Sequence, residues 1–571
     1  MNNTAQHYYS DEENTLILVS LLKAHGIKRV IASPGTTNIS FVGSVQIDPF
    51  FDVFSAVDER AAAFMACGMS EETGEPVVLT CTGATASRNY IPGLTEAYYR
   101  NLPILAVTST QHNGRVGNYV AQLVDRTVQF PDMIKKSYQI GLVHDKEDRE
   151  TCITEINDAI LELSNGNMGP VHINLSTAYS NRFIIKELPK YRIIKRVVDR
   201  DFPELPNGKI AIFIGAHRVF SQEETDAIDA FCSTNNAVVL CDHVSNYRGK
   251  YRFLASLVNS QALDMGTKNF DLIIYIGYIH GVYLKYSSKE LWRVNQDGVI
   301  RDLNKNLTYV FKMGELDFFR HYSSDKMNNT IGETCARADK LVRDKIPELP
   351  FSNLWIASKT ASKLPDNAVL HFSILNSLRA WNYYETPNGV TCYSNTGGYG
   401  IDGCMSSFIG SASLDKNIAH YLIVGDLSFF YDLNVLFNEI PTNVHIMVIN
   451  NGVGVEFKNY NHRAAYFGEE ADRFMAAKGH NGFCNHDLVK GLCQNLGINY
   501  LCANNKDEYL SKVDKWITDS KPVILEVFTN DRDESNALRM INSIMLPKTI
   551  KNFVKKSIVY RIIKGMEGGK K

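Results

Sequence analysis

Leu422-Ile423-Val424-Gly425-Asp426-Leu427-Ser428 and, 25 residues after Asp426, Val448-Ile449-Asn450-Asn451 decide how this chain is read. One apolar run closes on Gly-Asp, a short helix follows, and a second apolar run closes on Asn-Asn. Short apolar runs bounded by turn residues predict buried parallel strands. Oxygen-bearing side chains then stand at two carboxyl ends. A hard cation such as Mg²⁺ takes oxygen ligands and keeps the phosphates of a bound cofactor as further partners. Amide N–H groups at the helix start after Gly425 would also meet phosphate. The stretch therefore predicts a metal, a phosphorylated cofactor and an α/β sheet together.

The bulk properties narrow the alternatives. At roughly 150 residues per domain, 571 residues predict three or four domains. The chain is 44% hydrophobic, enough for real cores, and its net charge of −2 gives no general pull toward nucleic acid. The first fourteen residues are polar, no apolar run approaches the roughly 18 residues that span a bilayer, and no leader is expected. The eleven cysteines are scattered and form no Cys-x-x-Cys pair, so zinc and redox motifs lack support. The expected location is the reducing cytoplasm, with the thiols serving as small core residues.

Working outward, three α/β blocks are predicted in series. The first, residues 1–190, has an amphipathic helix over Thr15–His25, strands at Arg29–Ala32, Val77–Cys81, Ile104–Val107 and Val171–Asn174, and an alanine-rich helix over Arg60–Glu71. A polar stretch from about 187 to 208, punctuated by Pro189, Pro203 and Pro206, predicts a linker. The central block, 205–345, has apolar runs at Ile210–Gly215, Ala237–Cys241 and Leu272–Gly277; the third, 350–545, carries Asp426 and ends on Pro522–Val527. Strands separated by helices predict parallel sheets covered on both faces. The basic tail, 546–571, reads as a solvated terminal helix in preference to an amphipathic helix on an acidic lipid surface.

Two further elements carry chemistry. Phe54-Ser55-Ala56-Val57-Asp58-Glu59-Arg60 leads into the alanine-rich helix; alone, Glu59 reads as an ordinary N-terminal helix charge. Its neighbours change that reading. Ser33-Pro34-Gly35-Thr36-Thr37 and Cys81-Thr82-Gly83-Ala84-Thr85-Ala86-Ser87-Arg88-Asn89 would lie at strand carboxyl ends on the same edge, where open α/β sheets bind ligands.

Together these segments resemble the thiamine-diphosphate-dependent enzymes of the acetolactate synthase and 2-oxoacid decarboxylase superfamily, over about residues 12–545. Tyr393-Ser394-Asn395-Thr396-Gly397-Gly398-Tyr399-Gly400-Ile401-Asp402-Gly403 and the Leu427-Ser428 variant are similar to the menaquinone-pathway synthase branch, which works on 2-oxoglutarate and isochorismate. The resemblance implies three consecutive parallel-sheet domains: pyrimidine-binding, central and diphosphate-binding. It implies Mg²⁺ ligation by Asp426, Asn451 and the Val453 carbonyl. It implies cofactor contacts from Pro34, Gly35, Thr85, Asn89, Asn395, Gly400, Gly425, Leu427 and Ser428. Glu59 would bond the aminopyrimidine ring, a task suited to a buried carboxyl with a raised pKa. Ile401 would wedge the cofactor into its bent form, against the plainer reading of a core isoleucine. Gln122 would lie near the reacting substrate, against that of an exposed helix residue.

Departures from the branch bear on substrate. Its arginine in the loop that here reads Pro34-Gly35-Thr36-Thr37-Asn38 is missing, and Thr396 stands where it has another. Arginine suits bidentate carboxylate recognition and threonine does not. Arg379 falls near a third. The expected reaction is decarboxylation of a 2-oxo acid, with capture of the resulting acyl-anion equivalent by a carbonyl or enone acceptor less anionic than the menaquinone substrates. The alternatives are a simple decarboxylase releasing an aldehyde and a cofactor-binding regulatory paralogue. His112, His462 and His480 are candidate proton donors, each read more simply as a surface or satisfied histidine. Flavin is not expected, because no Gly-x-Gly-x-x-Gly loop follows Ile214-Gly215. A homodimer or dimer of dimers is implied, with Glu59 and the metal ligands of one site coming from different subunits.

Overall fold

The computed structural model describes residues 7–324 and 326–546, the side chain of Asn113 excepted; the basic tail lies outside the described residues from residue 547 onward. The described residues fall into two compact units, one within Met1–Phe202 plus Glu290–Met313, the other within Pro203–Lys289 plus Gly314–Lys571.

The first unit is built on a six-stranded parallel sheet: β1 (Arg29–Ala32), β2 (Asp52–Ser55), β3 (Val77–Cys81), β4 (Ile104–Thr110), β5 (Ser137–Ile140) and β6 (Val171–Ser176). Their order is β2-β1-β3-β4-β6-β5. Alternation sends Val30, Val78 and Leu105 to one apolar cluster and Ile31, Leu79 and Ala106 to the other, so both faces are covered. Helix α1 (Glu13–Ala24) lies on the first face. The expected amphipathic pattern does not hold there: Ile17, Leu18, Val19, Leu21 and Leu22 are all 0% exposed. The sheet takes one side of α1 and the helix Lys146–Glu162 another, so apolar residues are needed nearly all round.

On the other face, helix α2 (Glu59–Thr73) is capped by the Asp58 carboxylate, which accepts the Arg60 N–H at 3.0 Å, and ends on left-handed Gly74. Its alanines have a packing reason. Ala63 faces Gly93 of the neighbouring helix so closely that a Cβ on Gly93 would stand 2.4 Å from the Ala63 Cβ. Two small residues therefore set the spacing of this helix pair. The short helix α3 (Thr85–Asn89) follows β3.

The middle of the chain supplies further parallel strands: β7 (Lys195–Val197), β8 (Ile210–Ile214), β9 (Ala237–Cys241), β10 (Arg252–Leu254), β11 (Asn269–Ile276), β12 (Ser287–Val294) and β13 (Leu307–Phe311). In the first unit β13 pairs with β12 and β7; in the second the order is β10-β9-β8-β11. The stretch expected as a linker thus contains β7. Between its prolines run Ile194 and Val197, both buried, and their burial overrides the polar composition around them.

The second unit holds another six-stranded parallel sheet: β14 (Val369–Phe372), β15 (Thr391–Ser394), β16 (His420–Gly425), β17 (Val444–Asn450), β18 (Asn499–Ala503) and β19 (Val523–Phe528), ordered β15-β14-β16-β17-β19-β18. This is the connectivity of the first sheet again. The helices that matter to the site are α4 (Asn353–Thr360), α5 (Asn376–Trp381), α6 (Asp426–Tyr431) and α7 (Asp531–Asn542). Among the described residues no helix is long and apolar enough to cross a membrane.

Candidate active site

Gly425 at the end of β16 pairs with Ile449 of the adjacent parallel strand β17, so Asp426 and Asn450-Asn451 leave the sheet side by side. Asp426 is 3% exposed. One carboxylate oxygen accepts the Leu427 N–H at 2.8 Å; the other accepts the Gly452 N–H at 2.7 Å and meets His480 Nε2 at 3.1 Å. Asn451 Oδ1 accepts the Val453 N–H at 3.3 Å. No lysine or arginine pairs with Asp426 among the described residues. A buried carboxylate without a fixed cation, beside an amide oxygen and a turn carbonyl, suits a hard divalent ion. No cluster of three His, Cys, Asp or Glu stands ready for a metal among the described residues, so a cation here would rely on one carboxylate, neutral oxygens and phosphate. Helix α6 is only six residues long, and its Leu427 N–H is already taken by Asp426. It offers phosphate less than the expected helix start.

Ile401, Gly425, Asp426, Leu427, Ser428, Asn451 and Val453 line one cavity of about 130 Å³. Ser428 Oγ donates to the Ile401 carbonyl at 2.6 Å and ties the 395–403 loop to α6. Asn395 and Gly400 belong to that loop but not to the cavity wall; Asn395 Nδ2 donates to the Gly403 carbonyl at 3.2 Å. Leu375, on the same wall, sits at φ 63° and ψ −121°, a conformation costly for a side-chain-bearing residue.

A larger cavity of about 800 Å³ shares Asn353, Asn376, Val455, Glu456 and Glu534 with the first. Arg379 in its wall is paired with Glu456 at 2.6 Å. Glu534 accepts the Asn353 N–H at 3.0 and 3.1 Å and the Thr529 hydroxyl at 2.7 Å. Burial raises its pKa to about 7, against the lowering effect of those bonds. His462 also lines this cavity, whereas His112 is exposed in a loop of the first unit.

In the first unit, the loops after β1 and β3 meet. A Cβ on Gly35 would stand 2.6 Å from the Thr82 Cβ, so this approach requires glycine, and the Thr37 and Thr82 hydroxyls bond each other. Pro34 lies in the first loop; Thr85 and Asn89 stand on α3. Glu59, the first residue of α2, is half-buried. Burial pushes the Cys81 thiol up to about 12, the Glu59 carboxylate adding to the rise and Arg126 opposing it. Gln122 has φ 61° and an exposed side chain, and only its carbonyl approaches Gly83.

Arg126, Glu456 and Glu534 are absent from the sequence-based site, and His480 enters it only as a candidate proton donor. Arg126 is buried; its Nε and Nη2 donate to Asn174 Oδ1 at 3.2 and 2.8 Å, and Nη2 donates to the Ser109 carbonyl at 3.1 Å. The guanidinium underlies the Gly83 loop and supports it, and burial lowers its pKa to about 10. Glu456 stands five residues past Asn451 and could have been found by following that loop. His480 carries no local sign of its contact with Asp426. Glu534 reads as one of several acids opening α7.

Residues 15–129 match the family model described as thiamine pyrophosphate enzyme, N-terminal TPP binding domain. A 2-succinyl-5-enolpyruvyl-6-hydroxy-3-cyclohexene-1-carboxylate synthase of Bacteroides thetaiotaomicron is 28% identical over 561 residues, covering 93% of this chain and 98% of the relative. The same-named protein of Phocaeicola vulgatus is 28% identical over 558 residues with the same coverage. That of Christiangramia forsetii is 26% identical over 577 residues, with 90% and 95% covered. With Glu59 in the matched domain and the Asp426 and Asn451 loops in the second sheet, the chain is similar over most of its length to thiamine-diphosphate-dependent enzymes.

Proposed function

We propose that the protein is a thiamine-diphosphate- and Mg²⁺-dependent carboligase. It decarboxylates a 2-oxo acid and joins the remaining acyl-anion equivalent to a carbonyl or enone acceptor. The observation that carries ligation over simple decarboxylation is the pair of adjoining cavities: the one at Asp426 opens beside a much larger one, with room for a second substrate. The name of these relatives describes a product in which a succinyl group is attached to a cyclohexene carboxylate. Only the joining of carbon fragments is carried over from it.

Bound thiamine diphosphate would supply the electron sink on which a keto acid loses CO₂. The chain's own residues do the rest. Asp426, Asn451 and the Val453 carbonyl would hold Mg²⁺. Glu59 would bond the aminopyrimidine of the bound cofactor and hold a proton at its carboxyl group. Ile401 presses on the cofactor from the loop that Ser428 anchors. Gly35, Thr85 and Asn89 shape the pyrimidine side, and Gln122 reaches the substrate once the loop that bears it packs against a second subunit. Arg379 is neutralised by Glu456, which supports a substrate pair less anionic than that of the menaquinone branch. On this reading an N-terminal pyrimidine domain, a central domain and a C-terminal diphosphate domain succeed one another in a cytoplasmic homodimer or dimer of dimers.

The test is CO₂ release from a panel of 2-oxo acids, with and without acceptors, and mass detection of ligated products. Glu59→Gln is expected to lower donor decarboxylation at least 100-fold while thiamine diphosphate still binds calorimetrically. Near-normal turnover in that variant removes the mechanism. Free aldehyde as sole product with every acceptor favours the decarboxylase, and binding with no CO₂ from any donor favours the silent paralogue.

A further inference from the structure

Behind the Asp426 loop lies a carboxyl group that the mechanism above does not use. Glu526 stands within β19, between Val448 of β17 and Cys502 of β18, and is 0% exposed. Its hydrogen-bond partners are neutral. Oε1 accepts the Asn450 Nδ2–H at 2.7 Å, and Oε2 accepts the Tyr500 hydroxyl at 2.8 Å. Burying a carboxyl group against neutral donors is costly, and what the fold obtains here is the orientation of Asn450.

Asn450 closes β17, one residue before Asn451, and is also buried. Its Nδ2 donates twice, to Glu526 and, at 3.3 Å, to the Gly482 carbonyl, while its buried Oδ1 has no hydrogen-bond partner. Turning the amide over would set Oδ1 against both acceptors, so the two together fix which end faces them. Gly482 belongs to a strap, residues 479–484, that lies along the turn after β17. The Gly479 N–H donates to the Gly452 carbonyl at 2.9 Å, and His480 Nε2 meets Asp426 at 3.1 Å. A Cβ on Gly452 would stand 2.5 Å from the Phe483 ring, and one on Gly482 would stand 2.2 Å from that of Phe430. The strap's own helix, Asn481–Cys484, has only four residues, so these contacts hold it in place.

We propose that Glu526 and Asn450 are positioning residues for the Mg²⁺ site: Glu526 orients the Asn450 amide, Asn450 holds the 479–484 strap by the Gly482 carbonyl, and the strap sets His480 against Asp426. Tyr500, the other partner of Glu526, lies outside this relay. The inference deepens the cofactor reading above and rests on it. Groups that orient a metal ligand without touching the metal tune its affinity by about 10–100-fold.

Full-length protein is titrated calorimetrically with thiamine diphosphate over a range of Mg²⁺ concentrations, and amide hydrogen exchange of the metal-free protein is followed by mass spectrometry. Asn450→Ala and Glu526→Met should each raise the Mg²⁺ concentration for half-saturation about tenfold. Both should speed exchange across residues 479–484 while β17 and β19 stay protected. Glu526→Gln keeps an acceptor for Asn450 and should bring half-saturation back to within about threefold of wild type. Tyr500→Phe should leave it unchanged. In a His480→Ala background, Asn450→Ala should add less than about twofold, because both act through one strap. Should Glu526→Met fail to fold, Asn450→Ala alone and with His480→Ala carries the same comparison. Unchanged half-saturation in Asn450→Ala, an equal rise in Tyr500→Phe, or full additivity with His480→Ala overturns the inference. So does a loosened strap with no change in the Mg²⁺ requirement. Those results leave the cofactor reading standing, since the wild type still binds. A wild type that binds no thiamine diphosphate at any Mg²⁺ concentration removes the cofactor reading and the inference together.

Discussion

At Glu534 a carboxyl group without an ion pair among the described residues sits in the wall common to both cavities and holds the first turn of α4 through the Asn353 N–H. Its value of about 7 stands above the ordinary 4.5, so between those limits the folded protein keeps a proton that the unfolded chain has released. Its contribution is therefore complete below about pH 4.5 and is lost as pH rises through about 7. The difference is on the order of 3 kcal/mol. Denaturation of the wild type should lose that much between pH 4.5 and 8 relative to Glu534→Gln, and parallel curves would refute the assignment. At Asp426 the expectation concerns metal. Asp426→Ala should abolish Mg²⁺-dependent binding of thiamine diphosphate in calorimetry. His480→Ala removes only the imidazole that orients the carboxylate, and should raise the Mg²⁺ concentration for half-saturation about tenfold. Equal Mg²⁺ titrations for wild type and His480→Ala would leave that contact a matter of packing alone.

Between elements, the loop from β3 to α3 stores backbone strain. Ala84 has φ 55° and ψ −130°, a region open chiefly to glycine. Ala84→Gly should therefore stabilise the fold by about 1 kcal/mol, read as a higher Tm. Gly83→Ala should destabilise by about 1–3 kcal/mol, because its Cβ would stand 2.7 Å from Arg126 Nη1 and 3.2 Å from the Gln122 and Ser109 carbonyls. An unchanged Tm in both variants would mean that the loop is neither strained nor tightly packed. The strands on either side were legible because Val77–Cys81 and Leu422–Gly425 are uninterrupted apolar runs. β2 and β7 were not. Asp52–Ser55 is a partly exposed edge strand, and Lys195–Val197 is short and basic; both depend on a neighbouring strand for their conformation.

For the whole molecule, the exposed apolar side chains carry a prediction of assembly. Val57 is 80% exposed, and Phe64 and Met65 on α2 are 46% and 39%, all within six residues of Glu59. Such a face, beside a group expected to touch cofactor, is expected to meet a second copy. The particle should have twice the 64.2 kDa chain mass or a multiple of it, and Phe64→Glu with Met65→Glu should yield monomers that lose thiamine diphosphate. Monomers with full activity would contradict the shared site. The same scale shows a repeat that no local pattern announces: both six-stranded sheets follow one strand order, and both first loops open alike, Ser33 N–H donating to the Thr80 carbonyl and Ser373 N–H to the Ile423 carbonyl, each at 2.9 Å. Topology is set by which strands pair, and many apolar sequences satisfy the same pairing.

Residue order alone determined the parallel α/β class, the adjacency of the Gly-Asp and Asn-Asn turns, and the resemblance to thiamine-diphosphate-dependent enzymes, because strand burial and turn chemistry are written in consecutive residues. Only tertiary structure decided that Arg379 is spent on Glu456, that His480 reaches Asp426, that Glu534 keeps its proton near neutrality, and that Asn450 bridges Glu526 and the Gly482 carbonyl. Those facts depend on distance and desolvation between segments far apart in the chain, and neither quantity exists until the chain has folded.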